Sequence, residues 1–499
     1  MNKKIRISAL LLAILMIVST SACGRGEKSP EESGTSQTST VDTEETNNTN
    51  SDTSSETKQT DTEESNANGQ TSGKTKVTGS KSKKTKATPK ETPKGFYDSI
   101  KGSKVTIYAS DKPSDLMKKT QQQFEKKYGC TVVFDVIPWA DWHTKFPQQV
   151  SAGKTVDVAP LFDTEFANYA ATGMFQSVES YVEINDPIWD KNIMDLFKWK
   201  GKHYGLYTKL RSYAQGMIFF NKTMFEDEGE DDPYTLYKKG KWDLNQFRQT
   251  ALAMRRLGKD GKTSVYGFGT WWYDAFILSN GNRQVVPQSD GSVKITLNQQ
   301  SAYDAMQLIQ DMQLKDKSFD YTLSSSWADY FMGGKMAMVY ERPWNVAGVY
   351  NMYDKKNFPY ELGVAPPPKG LNTGNTYYAP SIIEATGIPA KASNPKAGAA
   401  WIYFSSIYAR DNQNDPVRIS DRRRMLSDEH KKIVDGFLDK ATPINSMING
   451  FGNWYYNRWP MWAAIYRDNI PPATAVAQHL NELQYEIDQT LQGTIGLDD

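Results

Sequence analysis

Residues 105–137, VTIYASDKPSDLMKKTQQQFEKKYGCTVVFDVI, contain the pattern that decides the fold. Two runs rich in β-branched side chains, 105–108 and 131–137, flank a segment in which apolar side chains recur at helical spacing. Ser114 is available to cap that helix at its start, and Gly129 is placed to end it. The stretch therefore predicts a strand, a helix and a second strand, joined by a right-handed crossover.

The same alternation of strands and helices continues towards the C-terminus. A strand is predicted at 156–162, and Asp243 with Gln246 forms a capping-box pair at the start of a later helix. Apolar side chains at helical spacing predict further helices within 302–312, 400–407 and 476–491. This order of elements predicts an α/β fold.

The N-terminus has the features of an export signal. A basic start precedes an apolar run at 9–18, which is shorter than the roughly 20 residues of a membrane-spanning helix. Two small residues then precede Cys23, an arrangement that resembles the lipobox of bacterial lipoproteins, although Thr20 replaces the usual leucine. We therefore expect residues 1–22 to be a signal peptide and Cys23 to be lipidated, which anchors the chain to the outside of the cell membrane. The alternative is a plain secretory signal with an incidental cysteine.

Residues 23–95 contain almost no core-forming side chains. Serine, threonine, asparagine, glutamate and lysine predominate, so burial cannot offset the entropy lost on ordering, and we expect a disordered linker. A flexible chain of this length reaches about 45–50 Å from end to end. The first part is acidic and the part around 81–86 is basic. The basic part is either a contact for anionic lipid or wall polymer, or simply a solvated stretch of linker.

Charge and motif content exclude several classes of function. The formal net charge of +1 offers no basic face for nucleic acid. If Cys23 carries lipid, Cys130 has no disulfide partner, and we expect it to be a small core residue. The four histidines show no metal-ligand spacing, and there is no G-x-S-x-G motif, P-loop or dinucleotide fingerprint. We therefore expect no metal, no cofactor and no catalysis, with a glycoside-active enzyme as the alternative.

From residue 104 onwards, short motifs occur in an order that resembles the family 1 bacterial extracellular solute-binding proteins, the group of the maltose- and maltodextrin-binding proteins. The motifs include Tyr108-Ala109-Ser110-Asp111-Lys112, Ala152-Gly153-Lys154, Gly201-Lys202-His203-Tyr204-Gly205-Leu206, Phe220-Asn221-Lys222, Trp242-Asp243, Phe331-Met332-Gly333-Gly334-Lys335-Met336-Ala337-Met338, Leu362-Gly363-Val364-Ala365-Pro366 and Ile388-Pro389-Ala390. The resemblance implies a two-lobed, periplasmic-binding-protein-like fold over residues 96–499, with the ligand cleft between the lobes.

The order of elements in that family also implies where the lobes begin and end. Lobe one would comprise about 100–210 and 363–412, and lobe two about 213–361 and 415–499. The chain would cross between them near 208–213, return near 361–363 and leave finally near 409–415.

The resemblance further implies a set of ligand-binding residues. A sugar cleft needs aromatic rings and a few fixed polar groups. Those in lobe one would be Asp111, Lys112, Phe162 and Asp163, and those in lobe two Trp271, Trp272, Tyr273, Trp344 and Trp462. The sequence departs from the family at Thr164 and Glu165, which do not reproduce an acid–base pair. Trp459 is an alternative to Trp462, any of these tryptophans could be a core residue, and Asp111 could simply cap the following helix.

Together these features predict the substrate-binding lipoprotein of an ABC importer. We expect a monomer that captures a mono- or oligosaccharide by hinge closure and delivers it to the transmembrane subunits of a permease. Two alternatives stay open, a subunit that feeds a sensor and a protein that binds a solute other than a sugar, such as a phosphorylated or cationic one.

Overall fold

A computed structural model describes residue 95 and residues 97–208, 215–343, 345–346, 360–412, 427–452 and 454–492. All of them belong to one of the two compact units of the chain, Pro89–Asp499. The predicted signal peptide, Cys23, nearly all of the predicted linker and Trp344 lie outside the described residues. Within these ranges, no helix combines the length and apolar character that crossing a bilayer requires.

Strands and helices alternate along the described residues, as the sequence predicts. The strands are β1 (Lys104–Ala109), β2 (Thr131–Val136), β3 (Ala159–Phe162), β4 (Phe175–Gln176), β5 (Lys198–Trp199), β6 (Lys202–His203), β7 (Gly205–Leu206), β8 (Met217–Asn221), β9 (Arg256–Leu257), β10 (Thr263–Gly269), β11 (Val285–Pro287), β12 (Val293–Ile295), β13 (Met336–Glu341), β14 (Leu362–Ala365), β15 (Tyr378–Ser381), β16 (Glu384–Pro389) and β17 (Thr442–Asn445). The helices are α1 (Asp115–Tyr128), α2 (Trp139–Ser151), α3 (Phe166–Ala171), α4 (Lys191–Met194), α5 (Lys222–Glu228), α6 (Pro233–Lys238), α7 (Leu244–Ala253), α8 (Asp274–Ser279), α9 (Gln300–Leu314), α10 (Trp327–Met332), α11 (Pro395–Asp411), α12 (Asp428–Leu438), α13 (Trp454–Asn457), α14 (Trp459–Tyr466) and α15 (Pro472–Gln492).

The strand–helix–strand unit predicted at the start of the fold is confirmed. β1 and β2 pair in parallel along their whole length. The Ser114 hydroxyl accepts a hydrogen bond from the Met117 backbone N–H (3.2 Å) and caps α1. Gly129 ends the helix with φ +65°, a left-handed conformation that favours glycine. Local sequence signals therefore determine both ends of α1.

The first sheet is built around β16. This strand comes late in the chain, yet it pairs antiparallel with the early strands β3, β4 and β7. β1 approaches the sheet through a bridge between Ile107 and Val158. The core behind β1 contains Phe124 and Trp401, and Cys130 is buried there as the sequence predicts.

The second sheet has the order β14-β8-β13-β10-β9 among the described strands. β13 begins within the Phe331–Met338 motif, and all of its residues are buried. β14 pairs antiparallel with β8 inside this sheet. The return to lobe one expected near residues 361–363 therefore falls on a strand of the second sheet.

The chain changes sheet near Ser381 instead. Gln215, the first described residue after Thr208, pairs with Ser381 at the end of β15. β15 also pairs in parallel with β17, so that Ser381 lies opposite Asn445. After β15 the chain continues directly into β16 of the first sheet. Segments from three distant parts of the sequence thus lie side by side where the chain passes between the sheets.

The contact between α7 and β10 requires a glycine at 267. A Cβ atom on Gly267 would lie 1.8 Å from the Ala251 carbonyl oxygen, so the helix or the strand would have to move. We expect Gly267→Ala to destabilise the protein by at least about 2 kcal/mol, through overpacking against backbone. Gly436 in α12 is the matched control, because a Cβ atom there would meet nothing within 4 Å. Gly436→Ala should stabilise the protein by about 0.5–1 kcal/mol. The free energy of unfolding of each variant, measured in urea, checks both values. Equal changes in the two variants would contradict the close contact between Gly267 and Ala251.

Candidate functional site

Asp163 is the first residue after β3, at the edge where the first sheet meets the segments that cross to the second. Its backbone N–H donates to the Ile383 carbonyl (3.0 Å), which ties the strand end to the residue just before β16. The side chain is only 2% exposed, and its Oδ1 atom is buried without a hydrogen-bond partner. A buried polar atom without a partner is costly, so pairing with a bound molecule would offset that cost.

Asn445 and Arg283 lie next to Asp163 on the other side of the site. Asn445 ends β17 and is fully buried. Its Oδ1 atom accepts a hydrogen bond from the Arg283 guanidinium (2.9 Å), which also contacts the Met447 sulfur (3.0 Å). The Asn445 Nδ2 group is buried without a hydrogen-bond partner of normal geometry. The Asn445 amide also acts on the Asp163 carboxyl group, so these two buried groups share one neighbourhood.

The environment of Asp163 changes its protonation. Burial raises the pKa of the carboxyl group from 3.8 to about 8, and the neighbouring charge of Glu165 adds to the rise. The Ile383 N–H, the Asn445 amide and the Arg342 charge oppose the rise without cancelling it. At neutral pH the carboxyl group is therefore largely protonated, and it can donate a hydrogen bond as well as accept one.

Glu165 and His143 form the rim of the site. The His143 Nδ1 atom lies 2.6 Å from Glu165 Oε1, which also accepts a hydrogen bond from the Thr164 hydroxyl (2.9 Å). Burial lowers the pKa of His143, but the hydrogen bond and the charge of Glu165 outweigh it, so the net shift is upward. The second carboxylate oxygen of Glu165, Oε2, is buried without a partner. It is a further acceptor two residues from Asp163.

Trp271 provides an aromatic surface beside these polar groups. Its indole N–H donates to the carboxylate of Glu341, a fully buried residue at the end of β13. Glu341 also accepts hydrogen bonds from the backbone N–H (2.7 Å) and Nε (3.1 Å) of Arg342. The Arg342 guanidinium lies 5.5 Å from the centre of the Trp271 ring, and its charge also acts on Asp163. Trp271 is half-buried, so part of its ring surface remains accessible.

Of the residues expected in the cleft, Asp163 and Trp271 are linked through Arg342, whose guanidinium contacts the Trp271 ring and whose charge acts on Asp163. Asp111 and Lys112 are exposed on the segment that follows β1. Phe162 is buried, with its ring at 77° to the Trp142 ring and 5.9 Å from it. Trp344 lies outside the described residues.

Trp272, Tyr273 and Trp462 have the contacts of core residues. Trp272 packs against Tyr340. Tyr273 contacts the Trp462 ring at 5.9 Å, and Trp462 stacks on Tyr466 at 5.6 Å with an interplanar angle of 2°. All three are less than 5% exposed, so a ligand would reach them only after rearrangement of the core. Trp459, the alternative to Trp462, is 39% exposed.

Sequence reasoning missed Arg283 and Asn445 and did not assign Arg342 or Glu165 to the site. Arg342 lies within the Glu341-Arg342-Pro343-Trp344 stretch that follows the Phe331–Met338 motif, so its position was a usable signal. Arg283 and Asn445 are 162 positions apart and belong to no recognisable motif. Only the tertiary structure reveals that pair.

The assembled groups are suited to holding a small polar molecule. Donors and acceptors of several kinds, with a half-buried aromatic ring linked to them through Arg342, are the kinds of group that line ligand pockets. Among the described residues, no group of three or more His, Cys, Asp or Glu side chains is arranged to hold a metal ion.

The fold and this site define a two-lobed α/β protein that binds a solute. The chain belongs to the bacterial extracellular solute-binding proteins, whose family profile matches residues 109–406. A binding protein of Brucella abortus (strain 2308) is 26% identical over 178 residues. That match covers 34% of this chain and 42% of the relative, so it spans less than half of the relative's length.

Solved structures with higher coverage show the same fold. A cyclo/maltodextrin-binding protein complexed with maltotetraose matches 79% of this chain and 99% of its own, with a TM-score of 0.58 and 19% identity. UgpB from Mycobacterium tuberculosis, in complex with glycerophosphocholine, matches 77% of this chain and 98% of its own, with a TM-score of 0.56 and 14% identity.

The raised pKa of Asp163 predicts a specific pH dependence of stability. Between about pH 4 and pH 8 the folded protein keeps a proton that the unfolded chain loses, so stability falls as the pH rises through this window. The loss should reach up to about 1.4 kcal/mol per pH unit, and Asp163→Asn should abolish this contribution. Urea unfolding of both proteins at several pH values measures the difference.

Asp290→Asn is the control for this experiment. Hydrogen bonds from Ser292 lower the pKa of Asp290, so its carboxylate stays charged across the window. The plot of unfolding free energy against pH for Asp290→Asn should run parallel to that of the unmodified protein. If the Asp163→Asn curve does so too, the assignment of a protonated Asp163 is wrong.

Proposed function

We propose that this chain is the substrate-binding lipoprotein of an ABC importer and that it captures a carbohydrate at the site around Asp163 and Trp271. One observation carries the proposal: buried polar atoms without partners lie near Arg342, whose guanidinium contacts the half-buried Trp271 ring, in a member of an extracellular solute-binding family. The proposed ligand is a mono- or oligosaccharide.

The chemistry of the site favours a sugar. Each sugar hydroxyl both donates and accepts hydrogen bonds, which matches the Asn445 amide, the Glu165 Oε2 acceptor and the Asp163 carboxyl group. The apolar C–H face of a sugar ring packs on aromatic surface, which Trp271 provides. The similarity to a protein solved with maltotetraose is consistent with this choice of ligand.

The mechanism we propose is closure of two lobes around the ligand. A molecule that contacts groups from both sheets stabilises the closed form and shifts the population towards it. Asp111, Lys112 and Trp344 remain proposed contacts, as the family resemblance implies. The closed, monomeric protein would then deliver its ligand to the permease, while a separate ATPase drives transport.

A phosphorylated solute is the second candidate ligand. Two guanidinium groups, those of Arg283 and Arg342, lie close enough to Asp163 to interact with its charge. Arginine is well suited to binding phosphate oxygens. A protein of the same fold was solved with glycerophosphocholine.

A thermal-shift panel on the full chain with Cys23→Ala distinguishes these ligands. The panel contains neutral mono- and oligosaccharides, glycerophosphocholine and sugar phosphates. A ligand present at 100 times its Kd stabilises the protein by about 2.7 kcal/mol, which raises the Tm measurably. We expect a neutral saccharide to give the largest shift and to be recovered unchanged by mass spectrometry. A shift only with phosphorylated compounds would replace the carbohydrate proposal, and turnover of the sugar would make the protein an enzyme.

Adjacent tryptophans provide a matched pair of variants for the best ligand of that panel. Trp271→Ala should weaken binding at least tenfold, or about 1.4 kcal/mol, because a half-buried ring beside the polar site is lost. Trp272→Ala should instead cost about 3–5 kcal/mol of stability, because that ring is 4% exposed and packs in the core. Calorimetric titration and Tm without ligand give the two quantities. Unchanged affinity in Trp271→Ala would remove Trp271 from the proposed site.

The two cysteines allow the proposed anchor to be tested in the same way. Stable attachment requires more than one acyl chain, which lipidation of the N-terminal cysteine of a lipoprotein would supply. Cys23→Ala should release the protein from the membrane fraction, whereas Cys130→Ala, a change in the core, should leave it attached. Immunoblots of membrane and medium fractions measure the distribution. Membrane retention of Cys23→Ala would contradict lipidation at this residue.

A further inference from the structure

A second concave feature lies away from the Asp163 site, where α6, α12 and the segment before β15 meet. It is a cavity of about 350 Å³, within the size range of small-ligand pockets. Tyr237 of α6, Tyr377 before β15 and Phe437 of α12 contribute its aromatic walls. Neither the family resemblance nor the proposed function involves these residues.

The aromatic walls form a continuous row of rings. Tyr234 stacks on Tyr237, with 6.3 Å between ring centres. Tyr237 meets Tyr377 edge to face at 5.7 Å, and Tyr377 meets Phe437 in the same manner at 6.2 Å. Phe437 is buried, whereas Tyr237 and Tyr377, which line the cavity, are only partly buried.

Polar side chains surround the rings. Asn375, Lys440 and Thr442 line the same cavity, and all three are exposed. They supply an amide, an ammonium group and a hydroxyl. The Thr442 backbone N–H donates to the Tyr377 carbonyl (2.9 Å), which fixes the two walls relative to one another. Accessible rings together with polar hydrogen-bonding groups form the surface on which a sugar ring packs.

The cavity and the Asp163 site lie at opposite ends of the β15–β17 pair. Thr442 begins β17 opposite Tyr378, and Asn445 ends it opposite Ser381. The two ends are three residue steps apart along the strand, or about 10 Å. The two locations are therefore distinct but are connected by the same pair of strands.

We propose that this cavity is a second binding site, which takes a single saccharide ring on Tyr377 and Tyr237. Its hydroxyl groups would contact Asn375, Lys440 and Thr442. The site does not depend on the Asp163 site, because it shares no side chain with it. We expect millimolar affinity, since one ring contacts an open cavity.

Saturation-transfer NMR with methyl glycosides of glucose, galactose, mannose and N-acetylglucosamine tests the proposal. The protein is the full chain with Cys23→Ala and Trp271→Ala, so that the site beside Asp163 is weakened. At least one glycoside should bind saturably, and Tyr377→Ala should weaken that binding at least tenfold. Tyr377→Phe should bind nearly as well as the parent, because the ring surface is retained.

Exposed side chains provide variants that do not depend on core packing. Asn375→Ala and Lys440→Ala should keep the Tm of the parent and still weaken glycoside binding. Lys259→Ala, a change at an exposed residue outside the cavity, should leave glycoside binding unchanged. Absence of binding by all four glycosides would overturn the proposal. Binding that is unaffected by Tyr377→Ala, Asn375→Ala and Lys440→Ala would overturn it as well, since the signal would then come from another site. If no ligand binds at the Asp163 site, glycoside binding in the cavity is unaffected. Failure of the proposed function is therefore distinguished from failure of this proposal.

Discussion

The burial of one carboxyl group, that of Asp163, is the constraint on which the candidate site depends. An ionised carboxylate in this position would face a large desolvation penalty, so the group takes up a proton instead. The Asn445 amide and the Arg342 charge offset this desolvation penalty only in part. The Asp163 Oδ1 atom has no hydrogen-bond partner. The free energy lost by leaving these polar atoms unpaired would be regained if the proposed ligand paired with them. The feature that limits stability would then favour binding.

Much of the fold follows from local signals. Strand β1, helix α1 and strand β2 are determined by β-branched runs, a serine cap and a glycine stop, all of which lie within one short stretch. Strand β13 begins within the Phe331–Met338 motif and is buried throughout. The return to lobe one was expected near residues 361–363, on β14, rather than before β16, because β14 and β16 both contain apolar runs. Only the pairing partner distinguishes them, and pairing is a long-range property.

The site was less predictable than the fold. Asp163 and Trp271 were predicted as site residues because each lies beside a recognisable strand or motif. The row Trp271, Trp272 and Tyr273 shows the limit of such reasoning, because three successive rings look equivalent in sequence. The backbone turns Trp272 and Tyr273 into the core and leaves only Trp271 half-buried. Arg283 and Asn445 carry no local signal, since their relation exists only once the crossing segments are assembled.

The distribution of these residues along the chain has a consequence for biogenesis. The groups around Asp163 come from segments that begin near His143 and end at Asn445, and strand β16 must insert between strands made far earlier. Such a topology has a high contact order, and its non-local pairings form slowly. The site cannot exist before almost the entire polypeptide is present. A chain exported from its N-terminus would therefore pass through the membrane as an incomplete fold and acquire its recognition surface only at the end of translocation.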